Sequence, residues 1–196
     1  MIFDELGLPK DSGATDFNDS ARLAGIMVLF DHPLSQCINL QYYVDGLLNS
    51  NSIDGTFKYV RHPKENTYDF SRDQAVCLMS GFYNTGEHWL ADKRYITGKD
   101  FLSPSVKGHI TRCQSGEGTW FQNIWLKLDI LYNAYFDPMS EPNQLICMLE
   151  VAGPEYVKMW TKHNKKWREA IREYWSGWRG ESELAEFLIK ELEEYV

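Results

Sequence analysis

The sequence predicts an all-α protein, and three observations carry that expectation. Apolar residues recur at helical spacing, three and four apart, along most of the chain. Pairs such as Ser103-Pro104, and Ser140 two residues before Pro142, supply a capping side chain followed by proline where a helix begins. Connections between periodic stretches are short, so about eight or nine helices would form a single compact domain over residues 1–196.

The chain in order justifies each element. Residues 1–15, with Gly7, Pro9, Asp11, Ser12 and Gly13, read as an irregular lead-in. Phe17, Ala21, Ala24, Val28 and Leu29 predict a helix over 17–30, ended by Asp31-His32-Pro33 because proline disfavours helical geometry in the residue before it. A second helix is expected over 33–48 through Leu34, Ile38 and Tyr42. Asp54-Gly55 ahead of the run Thr56–Val60 signals at most one small β-hairpin, near residues 52–60.

Ser71 and Gln74 form a capping box at the start of a helix over 72–84, whose buried stripe is Ala75, Leu78, Met79 and Phe82. Thr85 would cap a short helix through Glu87, Leu90 and Arg94, and Ser103-Pro104 opens another through Val106, Ile110 and Arg112. The stretch 120–136 is apolar around most of its circumference, so it is expected as the central helix. Gly153-Pro154 starts a long helix to about residue 178, and a last helix from 181 or 182 completes a C-terminal pair over 154–196.

A chain of 196 residues is long enough to bury a core without disulfides or metals. Its 14% aromatic content argues against disorder. The net charge of −8 argues against a general affinity for nucleic acid or anionic membranes, which is mostly phosphate neutralisation by Lys and Arg; local basic patches stay open. Cys37, Cys77, Cys113 and Cys147 lie far apart inside apolar patterns, as expected for reduced, buried thiols of a cytoplasmic protein. The start Met1-Ile-Phe-Asp-Glu resembles no signal peptide, and no stretch suits a membrane span.

Candidate chemistry lies where charged or amide groups interrupt apolar helices: Asp19 and Arg22, then Arg61, Arg72, Asp73 and Gln74, then His109 and Arg112. Asp19 and Arg22 stand three apart, on one helix face. Arg72 in a first helical turn opposes the helix dipole and calls for an acidic neighbour or an anionic ligand. Converging guanidinium groups would hold a phosphate, a carboxylate or sugar hydroxyls by paired hydrogen bonds. The competing reading is a buried Asp–Arg network that fixes how helices dock.

Asp19, Asp73 and Glu87 could instead supply an acid–base pair for a hydrolase acting on a glycan or phosphoester. His32, His62, His88, His109 and His163 match no metal motif, and no cofactor is implied; cap, surface or core roles are expected for each. Lys158 to Arg179 carries seven basic residues interleaved with Trp160, Trp167, Tyr174, Trp175 and Trp178. This stretch could bind a host protein or track a nucleic acid. The same aromatic spacing also fits a buried stripe, with the glutamate-rich segment 181–194 docked against the basic face.

Arg61-His62-Pro63, Asp69 to Gln74, Ser103-Pro104-Ser105, Gly108-His109-Ile110 and Arg112 resemble a group of uncharacterised helical proteins encoded by tailed bacteriophages. Leu6 to Pro9 and Asp19 to Gly25 are similar to the N-terminal portion of that group. The resemblance implies a phage-type accessory protein acting in the bacterial host cytoplasm. With the candidate residues, the expectation is a non-enzymatic protein that binds a small anionic or polar molecule, such as a nucleotide-like host signal, with turnover left open. Hydrolysis by paired carboxylates and inhibition of a host protein through the C-terminal helix are the alternatives.

Overall fold

The computed structural model describes residues 1–10, 19–45, 58–64, 72–87, 120–136, 138–139, 142, 146–147 and 153–196. Helices take up 65% of them. The described α-helices are α1 (Ser20–Leu29), α2 (Arg72–Asn84), α3 (Trp120–Tyr135), α4 (Pro154–His163), α5 (Trp167–Ile171) and α6 (Ser182–Glu193), with a π-helical turn, Arg172–Trp178, continuing α5. Six α-helices among the described residues do not reach the expected eight or nine. The segment expected through Val106 lies outside the described residues, and so does most of the one expected from Thr85 to Arg94.

Two small antiparallel ladders replace the single expected hairpin. Strands β1 (Ile2–Phe3) and β2 (Pro9–Lys10) pair within the segment read as an irregular lead-in, with Ile2 opposite Lys10. The Asp4 carboxylate organises their turn by accepting the Leu6 and Leu8 N–H groups, both at 2.9 Å. Strands β3 (Val44–Asp45) and β4 (Lys58–Tyr59) form the second ladder, with Val44 opposite Tyr59. Residues 58–59 are therefore strand, as Thr56–Val60 suggested, but their partner comes from before the turn signal at Asp54-Gly55.

Over its described part, residues 33–45, the helix expected over 33–48 is instead two 3-10 turns, Pro33–Cys37 and Leu40–Tyr43. Each is stopped and restarted by a local side-chain cap: His32 Nδ1 accepts the Leu34 N–H at 3.2 Å, and Asn39 Oδ1 accepts the Gln41 N–H at 3.0 Å. His32 also packs edge-on against Phe187 of α6, with ring centroids 4.8 Å apart. Its pKa is lowered from the ordinary 6.5 by burial, partly offset by nearby Glu183. With the folded pKa depressed, the unfolded chain takes up the proton first, so this stabilisation is complete above pH 6.5 and is lost as the pH falls through the folded value. The urea midpoint is expected to fall below pH 6.5 in the native chain and less steeply in His32→Asn, which keeps a capping oxygen without the titration. Parallel pH profiles for the two proteins would refute this.

The buried centre is α1, all ten of whose residues are buried. The expectation that 120–136 is central is overturned. Helix α3 turns Ile130 and Ala134 inward but leaves Leu128, Tyr132, Tyr135 and Phe136 between 50% and 78% exposed. Among its described side chains, one face is buried and one stripe is exposed. Helix α1 crosses α2 at a glycine contact, where a Cβ on Gly81 would come within 3.2 Å of the Gly25 Cα. Such small residues let two backbones meet directly.

Both helix ends at this crossing close in the same way. Gly86 takes φ +76°, its N–H bonds the Tyr83 carbonyl at 3.2 Å, and the Glu87 N–H bonds that of Phe82 at 2.9 Å. Asp31 adopts φ +49° after α1, with its own N–H on Val28 and the His32 N–H on Met27. This explains why Asp31-His32-Pro33 is a stop signal. Thr85 belongs to the turn ending α2, and the helix expected after it lies mostly outside the described residues.

The C-terminal third is less continuous than expected. Asn164 interrupts the long helix: its side chain accepts the Lys166 N–H at 3.0 Å and donates to the Pro138 carbonyl at 3.2 Å. Trp160, Trp167, Tyr174 and Trp175 are all 3% exposed or less, so these aromatic residues form a buried stripe. Two basic residues of the same segment meet α6, through Arg168–Glu193 at 2.8 Å and Arg172–Glu186 at 2.7 Å. Buried side chains of α1, α2, α4, α5 and α6 join one apolar cluster.

Candidate functional site

The start of α1 gathers part of the predicted site. Asp19 and Arg22 pair at 3.5 Å across one helical turn, and both are nearly buried, at 6% and 5% exposure. The second Asp19 oxygen takes the guanidinium of Arg179, which follows the π-helical turn. Tyr174 lies against both cations, with its ring 5.6 Å from Arg22 and 5.4 Å from Arg179. Next to this cluster, the Ser20 hydroxyl and the Tyr43 hydroxyl are 2.7 Å apart, and burial pushes the Tyr43 phenol well above its ordinary range.

Arg61 enters the same neighbourhood through its backbone, whose carbonyl accepts the Ala21 N–H at 3.1 Å. Gln74 is fully buried in α2. Arg72 and Asp73 occupy the first turn of α2, and their side chains, like all of His109 and Arg112, lie outside the described residues. The structure thus brings together Asp19, Arg22 and Arg61 from the predicted set and adds Arg179 and Tyr174. The sequence does carry Arg179 and Tyr174 in the basic–aromatic stretch, but nothing in its periodicity pairs them with residues some 160 positions earlier. Asp19 is held by two guanidinium groups, the arrangement of a docking contact.

A second charged cluster forms around His62, which is fully buried. Its Nδ1 accepts the Lys64 N–H at 3.1 Å, so the ring proton sits on Nε2 and faces Asp4 Oδ2 at 3.1 Å. Both ring nitrogens are thereby engaged. His62 anchors the β1–β2 turn, a core role among the cap, surface or core roles expected for the histidines. Among the described residues, no group of three His, Cys, Asp or Glu side chains is placed to hold a metal ion.

A concave site appears elsewhere, as a groove of about 550 Å³ beside the Asn164 break. Lys158 and Lys162, one turn apart on α4, line it together with Lys165 and Arg168. Thr161, Trp167, Tyr195 and Val196 complete the lining. Arg168 lies over the Trp167 ring at 4.2 Å while its Nε binds Glu193. No carboxylate side chain lines the groove. Glu193 is already paired with Arg168 there, so Lys158, Lys162 and Lys165 are the exposed cations that an entering anion would meet. The groove lies beside the break at Asn164, whose side chain accepts the Lys166 N–H.

No helix among the described residues is long and apolar enough to cross a membrane. No protein-family model matches the chain, and no curated protein or solved structure is significantly similar to it.

Proposed function

We propose that this chain is a non-enzymatic binding protein for a small polyanion of nucleotide-like, phosphate-bearing chemistry, held in the groove of Lys158, Lys162, Lys165 and Arg168. The observation that carries this reading is a cavity of about 550 Å³ with four cationic side chains and no acidic one on its walls. It keeps the anionic ligand class expected from the sequence and relocates the site from the Arg/Asp cluster to the C-terminal third. In the phage setting that the motif resemblance implies, such a protein would sequester a host signal in the bacterial cytoplasm.

The hydrolase alternative gains less support, because Asp19 is already ion-paired with two arginines. Binding of a host protein draws support from the exposed stripe Leu128, Tyr132, Tyr135 and Phe136 on α3, since contiguous apolar surface of this kind marks contact sites. It draws none from the C-terminal tryptophans Trp160, Trp167 and Trp175, which are buried.

Calorimetric titration with inorganic pyrophosphate and with ATP tests the proposal. Lys158→Glu combined with Lys162→Glu removes two charge-assisted contacts and should weaken binding by tenfold or more, about 1.4 kcal/mol. Raising the salt should weaken binding of the native chain as well. Equal affinity in the native and double-variant chains, or binding by neither, would overturn it.

A further inference from the structure

Cys77 of α2 and Cys147 are both fully buried, and their sulfur atoms lie 3.6 Å apart. They stand 70 positions apart in the chain, so their contact is a product of tertiary structure. The backbone around them is held in place: Ser80 Oγ donates to the Val76 carbonyl at 2.8 Å and reaches the Cys147 carbonyl at 3.5 Å. Either thiol can donate in such a sulfur–sulfur contact, and Cys77 is taken as the sulfur oxidised first, with Cys147 resolving it.

We propose that Cys77 and Cys147 are a peroxide-sensitive pair that closes to a disulfide inside the fold. The Cys77 thiolate attacks one oxygen of hydrogen peroxide, breaking the O–O bond and leaving Cys77 as a sulfenic acid while hydroxide departs and takes a proton as water. The Cys147 sulfur then attacks the Cys77 sulfur. The S–O bond breaks, a second water leaves with the Cys147 proton, and the two electrons lost by the thiols reside in the two waters. Closing the bond requires the sulfurs to approach from 3.6 Å to about 2.05 Å. Full burial selects the oxidant: peroxide is small and neutral, whereas bulky thiol reagents do not reach either sulfur in the folded chain.

The test exposes the folded full-length protein to hydrogen peroxide, quenches with catalase, then denatures it in N-ethylmaleimide and maps the peptides by mass spectrometry. The expected result is a Cys77–Cys147 linked peptide two hydrogens lighter than the sum of its parts, with the chain taking up two fewer maleimides than untreated protein. A Cys37→Ser, Cys113→Ser chain should give the same linked peptide, and Cys147→Ser should leave Cys77 trappable by dimedone as a sulfenic acid. Full alkylation of both Cys77 and Cys147 after peroxide, or linkage of either only to Cys37 or Cys113, would overturn the proposal. The wild-type peptide map decides this even if a variant fails to fold.

Discussion

Gly25→Ala is expected to destabilise the protein by more than about 3 kcal/mol, the upper part of the range for overpacked interiors. A methyl group on Gly25 would lie 2.7 Å from the Leu78 backbone nitrogen and closer still to the carbonyl carbon and oxygen of Cys77. These are backbone atoms in the middle of α2, so no side-chain rotation relieves the clash; α1 and α2 must separate. Separation would open the central contact of a helix whose every residue is buried. Total stabilities are commonly about 5–15 kcal/mol, so the loss is a large fraction of what holds the fold together. Urea unfolding followed by circular dichroism provides the measurement. Gly177→Ala is the control, because there a methyl group would meet only the Glu173 Cγ at 3.9 Å. Equal midpoints for the two variants would refute the account of the crossing.

Asp19→Ala should cost about 3–5 kcal/mol, the usual consequence of removing one partner from a buried ion pair. The carboxylate separates two guanidinium groups, Arg22 with its side chain 6% exposed and Arg179 with 27%. Without Asp19 both cations would face each other around Tyr174 in a largely desolvated space. The loss should shrink markedly when Arg22→Met is added, since the second change removes a buried cation that Asp19 balances and keeps the apolar volume. The pair of substitutions also separates two readings of the cluster. A docking network loses stability in Asp19→Ala and keeps polyanion binding in whatever fraction stays folded. A ligand site at Asp19 and Arg22 would show the reverse, with a native urea midpoint and lost binding.

Parts of this arrangement were legible in the residues alone because their causes are local. Asp31-His32-Pro33 ends α1 and Gly153-Pro154 opens α4 through backbone preferences of those residues themselves. The Asp19–Arg22 contact follows from helical spacing. The helix expected over 33–48 failed for a reason that is also local but finer than periodicity: His32 and Asn39 each satisfy a backbone N–H and divert the chain into 3-10 turns. Cys37, expected to be buried, is exposed for the same reason, since the turn carrying it has no buried residue. The apolar sequence of α3 gave the wrong centre because hydrophobicity reports a helix's capacity for burial, while burial itself depends on which faces meet neighbours.

Taken alone, the sequence determined that the chain is predominantly helical and where α1, α2 and α4 begin or end, and it offered a buried stripe of Trp160, Trp167 and Tyr174 as one of two readings of that stretch. These follow from spacing, capping and proline chemistry, whose range is a few residues. Only the tertiary structure decided that Arg179 completes the Asp19–Arg22 pair, that Cys147 faces Cys77, and that four cations line a groove beside Asn164. Each of these depends on bringing together separate elements, or the two sides of a helix break. That arrangement is set by the close backbone contact at Gly25, the π-helical turn after α5 and the Asn164 break, none of which leaves a periodic trace in the chain.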